Sequence, residues 1–184
     1  MITVKNAFIL LMVLAVTLIA QPLSAVIRLP RLVSDKMVLQ RDTELKIWGW
    51  TDSGEKVTVR FQGKHYDTEA NQKGEWSVML PPQKAGGPFV MEVNELIIRD
   101  ILVGDVWLCS GQSNQETPIS RLTDMFPEIN VSNNHMIRHY KVSTQNSVED
   151  LKETIAGNAV WHSAIASEVM NWTALAYFFA QEAY

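Results

Sequence analysis

The chain has 184 residues, of which 47% are apolar and 20% charged, and its formal net charge is −4 at pH 7. These proportions exclude an intrinsically disordered chain, and the length fits one or two globular domains. The weak acidity, without any basic run, excludes nucleic acid as an expected partner. Cys109 is the only cysteine, so an internal disulfide and a cysteine-based zinc site are excluded as well.

The first 25 residues have the pattern of a secretory signal peptide. Lys5 supplies a positive charge, and residues 7–20 form an uncharged apolar run that is shorter than a membrane span. Pro22 interrupts this run, and Ala25 is a small residue suited to cleavage. The sequence therefore predicts an exported protein, periplasmic or extracellular, with no membrane span after cleavage. The alternative is an uncleaved membrane anchor.

Residues 26–100 predict an antiparallel β-sandwich domain of about seven short strands. Within residues 57–61, apolar side chains alternate with threonine and arginine, as they do along a half-buried strand. Residues 76–80 and 89–93 repeat this alternation, and turns rich in glycine and proline separate the segments.

From residue 101 the pattern changes to that of an α/β domain. Residues 101–109 are almost continuously apolar, which predicts a strand buried on both faces, as in a parallel sheet covered by helices. Three more elements are predicted further along: a strand at 137–142, a helix or polar loop at 147–154, and a C-terminal helix within 164–184, with Asn171 as its candidate cap.

A polar loop with a central serine, residues 110–116, follows the predicted buried strand. Catalytic groups gather at the carboxyl ends of such strands, which makes Ser113 a candidate nucleophile. Gly111 would let the backbone approach a substrate, Asn114 would hold the loop in shape, and the N–H of Ser113 would donate to an oxyanion. On pattern alone, an ordinary turn is the favoured interpretation.

Several stretches together resemble the N-terminal part of bacterial sialate O-acetylesterases. They are residues 32–40 (LVSDKMVLQ), 47–50 (IWGW), 54–57 (GEKV), 74–76 (GEW), 84–88 (KAGGP), 102–114 (LVGDVWLCSGQSN) and 174–180 (ALAYFFA). The resemblance implies a flavodoxin-like α/β/α esterase fold of the SGNH-hydrolase type, preceded by a β-domain. It also implies the removal of O-acetyl groups from sialic acids or related polysaccharides without metal or cofactor. Ser113 would be the nucleophile, and Gly111, Gln112 and Asn114 would support its loop.

The resemblance also implies parts that these residues lack. The catalytic histidine of the family lies in an Asp-x-x-His block, which occurs nowhere in this sequence. The four histidines present are His65, His135, His139 and His162. No spacing pairs any of them with Ser113, so the general base stays unassigned, and a surface or structural role is favoured for each. We therefore expect residues 101–184 to be an incomplete hydrolase domain, poorly stable alone, in the front part of a longer esterase. A complementing polypeptide is a further possible partner.

An alternative of a different class is a non-catalytic carbohydrate-binding or assembly module that keeps a vestigial hydrolase start. Trp48 and Trp50 lie two residues apart on a predicted strand and could stack on a sugar. Packing in the core or at a domain interface is favoured for both. Gln115, where the family usually has methionine, is compatible with this alternative.

Overall fold

The computed structural model describes residues 26–142 and 159–184; the predicted signal peptide and the predicted element at 147–154 lie outside the described residues. In chain order the strands are β1 (Val38–Gln40), β2 (Leu45–Trp50), β3 (Lys56–Phe61), β4 (Lys64–Glu69), β5 (Glu75–Leu80), β6 (Gly86–Val93), β7 (Leu96–Gly104), β8 (Asn133–Tyr140) and β9 (Trp161–Ile165). Three short 3-10 helices, Ser113–Glu116, Ile119–Arg121 and Pro127–Val131, precede β8, and two α-helices, α1 (Ala166–Val169) and α2 (Ala174–Ala183), follow β9. None of the described helices is long and apolar enough to cross a membrane.

The first seven strands form two sheets around one shared core. β1, β7, β6, β3 and β4 make a five-stranded sheet in that order, and β2 pairs with β5 in a second sheet. Every pair is antiparallel except β1 with β7. Side chains from both sheets belong to a single buried cluster, among them Ile47, Val59 and Leu80. The predicted strand-rich start of the chain is therefore confirmed.

The alternation along the sequence decides which side of each strand is buried. In β3 the side chains of Val57, Val59 and Phe61 are buried, whereas Arg60 on the opposite face is exposed. β5 follows the same rule. Each such side chain stabilises the fold by about 1.5–3 kcal/mol on leaving water, so the period of two fixes the orientation of these strands.

The predicted strand over residues 101–109 is wrong in its limits and in its partners. β7 spans Leu96–Gly104 and thus crosses the expected domain start at residue 101. Residues 101–103 are buried, but they are buried by the N-terminal sheet, in which β6 and β1 flank β7. Residues 105–112 are exposed and form no strand within the described structure. The domain limits 26–100 and 101–184 stay predictions.

The C-terminal part confirms two predicted elements and adds one. β8 covers most of the predicted strand at 137–142, and α2 is the predicted C-terminal helix, although Thr173 and not Asn171 is its N-cap. β9 was not predicted; it contains His162 and pairs antiparallel with β8. These elements bury a second apolar cluster, which includes Trp172. A sheet of parallel strands covered by helices is not seen among the described residues of this part.

Among the residues that the structure describes, two ion pairs join the C-terminal part to the N-terminal sheets. Arg138, whose side chain is only 2% exposed, donates from Nη2 to Asp100 Oδ1 at 2.9 Å and from Nη1 to Asp100 Oδ2 at 3.0 Å. Lys36 Nζ lies 2.9 Å from Glu168 Oε1. Lys36 and Asp100 both have left-handed backbone conformations, with φ of 66° and 58°. Such conformations cost non-glycine residues free energy, so the contacts around them must hold them in place.

Candidate functional site

Ser113 is the first residue of the 3-10 helix Ser113–Glu116 and is exposed to solvent. Its hydroxyl has no hydrogen-bond partner within the described part of the chain. Because it begins the helix, its backbone N–H is not used by the turn itself. A hydroxyl and an N–H are thus both free at one exposed position, as a nucleophile with its own oxyanion donor requires.

Short backbone contacts give the loop its shape. The N–H of Gln115 donates to the carbonyl of Gln112 at 2.8 Å, and the N–H of Thr117 donates to the carbonyl of Asn114 at 3.4 Å. Gly111 lies against this turn, since a Cβ there would stand 3.1 Å from the Cβ of Gln115. These contacts are compatible with the predicted support of the loop by Gly111, Gln112 and Asn114, which stays a prediction.

The turn is attached to the start of α2. The N–H of Ala174 donates to the carbonyl of Thr117 at 2.8 Å, and Gln115 Nε2 donates to Thr173 Oγ1 at 3.3 Å. Sequence reasoning missed Thr173 altogether. In the sequence, Thr173 directly precedes a predicted helix. This pattern indicates a helix cap, but it does not indicate the contact with Gln115.

Large apolar side chains are exposed beside the turn. Trp107 is 64% and Leu108 92% exposed, and Leu175 and Phe179 on α2 are exposed as well. The rings of Trp107 and Phe179 meet edge to face, with centroids 5.2 Å apart. We call these four residues the apolar surface. Apolar side chains grouped in this way are typical of a surface that contacts another surface.

All four histidines lie on strands, and none of them has a described contact with Ser113. His65 on β4 and His135 on β8 are exposed. His162 on β9 has its Nδ1 3.6 Å from Glu168 Oε2, close enough for an ion pair when the ring is protonated. The expected structural or surface roles fit these positions.

His139 is the histidine that packs closest to the elements holding the turn. Its ring stacks on Trp172, with centroids 4.7 Å apart and planes 23° from parallel. Burial, followed by the charges of His162 and Lys141, lowers the pKa of His139 to about 4. Its Nδ1 is buried without a hydrogen-bond partner among the described residues. His139 is therefore a neutral packing residue at pH 7, and it too has no described contact with Ser113.

Within residues 26–142 and 159–184, no group of three or more His, Cys, Asp or Glu side chains could hold a metal ion. The loop offers a reaction an exposed hydroxyl, a backbone N–H and a fixed turn.

Comparison with known proteins gives similarity to esterases. The chain is 30% identical to the sialate O-acetylesterase of Mus musculus over 153 residues, and 30% identical to that of Homo sapiens over 145 residues. These alignments cover 74% and 70% of this chain but 28% of each relative. The chain therefore spans 28% of the length of these curated relatives. No family model matches the chain.

Among solved structures, the fold is similar to a carbohydrate acetylesterase from Xanthomonas citri. The TM-score is 0.79 at 37% sequence identity, and the match covers 85% of this chain and 37% of that chain.

Proposed function

Because the chain belongs to the sialate O-acetylesterase-type family, we propose that it carries the nucleophile of an enzyme that removes O-acetyl groups from a sialic acid or related glycan. The observation that carries this proposal is the shared fold and 37% identity with the Xanthomonas citri carbohydrate acetylesterase. The exposed Ser113 at the start of a tight turn supplies the chemistry. The relatives of this chain are acetylesterases, and that similarity does not depend on the role of Ser113.

In the proposed reaction, Ser113 Oγ attacks the acetyl carbonyl carbon while a general base takes the hydroxyl proton. The carbonyl electron pair moves to oxygen, and the N–H of Ser113 donates to that oxyanion. The bond to the sugar oxygen then breaks, the sugar leaves with a proton, and the acetyl group stays on Ser113. Water adds to this acetyl-enzyme in the second half of the reaction, which releases acetate and restores the hydroxyl.

We further propose that the general base lies outside these 184 residues, so that they are catalytically incomplete by themselves. A base must come within about 2.6–3.2 Å of the proton it takes, or reach it through one water. None of the described histidines has such a contact with Ser113. His139 is also a poor candidate, because its pKa of about 4 lies far below the value near 7 that suits a general base. A polypeptide segment outside these 184 residues would supply the base.

The test joins this chain to the part of the Xanthomonas citri acetylesterase that it does not match, and measures acetate release from an acetylated sialic acid. In this hybrid, Ser113→Ala should lower kcat by about 10⁴-fold or more, because a complete triad depends on its serine. In the isolated chain the same substitution should change the hydrolysis of an activated acetyl ester by less than about tenfold, because a serine without its base adds little.

Ser110→Ala is the matched control, since Ser110 is an exposed serine in the same loop. It should leave the kcat of the hybrid unchanged. Equal ester hydrolysis by the hybrid with and without Ser113→Ala would contradict the assignment of Ser113 as the nucleophile. A large loss on Ser113→Ala in the isolated chain would instead place the base within it.

A second candidate, a non-catalytic carbohydrate-binding or assembly module, is favoured by the apolar surface beside the turn. Such a surface needs contact with a partner and no chemistry at Ser113. Trp48 gives this candidate less support, because it packs against the N-terminal core. Glycan binding by the hybrid without any acetate release, unchanged by Ser113→Ala, would favour this function.

The finer architecture is part of the same proposal. The two sheets would form the β-sandwich domain predicted over residues 26–100, extended to Gly104 because β7 ends there, and the remaining residues would begin an SGNH-type domain. Export to the periplasm or the extracellular space is supported by the signal-peptide pattern of residues 1–25.

A further inference from the structure

Gln115 is the residue of the Ser113 turn that faces inward. Of the four residues in the 3-10 helix Ser113–Glu116, the other three are exposed, while Gln115 is half-buried. Its Cβ packs over Gly111, where a side chain would crowd it at 3.1 Å. Its amide Nε2 donates to Thr173 Oγ1 at 3.3 Å. The side chain is therefore held at both ends, by the backbone before Ser113 and by a hydroxyl 58 residues away in the sequence.

The side chain of Thr173 makes this contact instead of capping its own helix. It occupies the N-cap position of α2, where a threonine oxygen ordinarily accepts an N–H from the first turn of its own helix. Here the side chain makes no capping hydrogen bond. The hydroxyl oxygen accepts from Gln115, and the N–H of Ala174 is satisfied by the carbonyl of Thr117. The start of α2 thus supplies a hydrogen-bond acceptor to the turn, and the turn supplies the acceptor for the first N–H of α2.

We propose that Gln115 is the positioning residue for Ser113, with Gly111 and Thr173 as its two supports. By fixing the middle of the turn, it keeps the hydroxyl and the N–H of Ser113 in one orientation toward a substrate. The catalytic meaning of this inference rests on the proposed function, but the tether itself can be measured without any turnover.

The test is amide hydrogen exchange of the 184-residue chain, read residue by residue by NMR. Thr173→Val removes the hydroxyl at nearly constant volume, and Gln115→Met removes the amide at similar length. Each should lower the protection of the Gln115 and Thr117 amides by about five- to tenfold, the usual effect of one hydrogen bond. The double variant should lose no more than either single one, because both remove the same bond. Protection within α2 should stay constant, since Thr173 does not cap it.

Thr173→Ser is the matched control, because it keeps the hydroxyl; it should restore the protection of the turn. Loss of protection in α2 with an unchanged turn would identify Thr173 as an ordinary helix cap and overturn the proposal. Additive losses in the double variant would also overturn it. In the hybrid acetylesterase, Thr173→Val should lower kcat and leave KM unchanged, because it removes the hydroxyl that holds Gln115. Unchanged activity of the hybrid on Ser113→Ala would refute the proposed function. The exchange data would still show whether the Gln115–Thr173 hydrogen bond holds the turn.

Discussion

His139 shows how burial changes the chemistry of a residue that the sequence presents as a candidate base. Its ring stacks on Trp172, and its cross-strand neighbour on β9 is His162. A protonated ring there would lose hydration and meet other positive charge, so the neutral form is favoured. Its spacing from Ser113 in the sequence could not reveal this, because both neighbours, Trp172 and His162, come from later elements.

This burial predicts a pH-dependent stability. The pKa of His139 is about 4 in the folded state and 6.5 in the reference state, so the unfolded chain binds more protons between these values. Stability from His139 is therefore complete above pH 6.5 and is lost as the pH falls toward 4. Between pH 7 and pH 5 the loss should be about 2 kcal/mol.

The measurement is urea unfolding of the wild type and of His139→Phe, which keeps a ring against Trp172 but cannot titrate. Between pH 7 and pH 5, the free energy of unfolding of the wild type should fall by about 2 kcal/mol more than that of His139→Phe. Comparing the two proteins cancels the titration of Glu168 and the other histidines. Equal pH dependence in both would show that His139 is not kept neutral by the fold.

At the scale of elements, the periodicity of apolar residues correctly predicted those strands and helices in which one face packs against a core. β3 and β5 could be recognised because alternate side chains meet one core, and α2 because its apolar positions recur at helical spacing. The family prediction also held, since it depended on ordered motifs and not on where each strand ends. The apolar run at 101–109 misled because it has no alternation; β6 and β1 bury its start, and nothing local indicates where β7 stops.

The exposed end of that run makes a testable prediction. Cys109 is a free, exposed thiol directly after Leu108, which is 92% exposed. We expect a thiol reagent such as 5,5′-dithiobis(2-nitrobenzoate) to modify Cys109 in the native chain at nearly the rate of the urea-unfolded chain, within about tenfold, because only accessibility separates the two. In the hybrid acetylesterase, where the apolar surface would be covered, the reaction should slow. Native protection of Cys109 in the isolated chain would contradict its exposure.

At the scale of the whole molecule, the two parts are joined by charges of unequal burial. The Arg138 guanidinium is almost completely buried, whereas the Asp100 side chain is 39% exposed. Arg138 Nη1 also donates to Ser163 Oγ at 2.7 Å. Breaking a buried pair costs most when the charge that stays behind is the buried one. The union of the two parts therefore depends more on the charge of Asp100 than its own exposure suggests.

Asp100→Asn tests this dependence, because asparagine accepts the left-handed backbone at this position and nearly preserves the shape of the side chain. It leaves Arg138 buried and unpaired, so we expect a loss of about 3 kcal/mol, whereas Arg138→Met should cost less. Asp105→Asn is the matched control: it breaks the Arg41–Asp105 pair, both of whose side chains are about half exposed, and should cost less than about 1 kcal/mol. In limited proteolysis, Asp100→Asn should speed cleavage after Gly104 while residues 26–104 stay resistant. Equal protection of the two parts in this variant would mean that they unfold as one, and that the Asp100–Arg138 pair does not control their union.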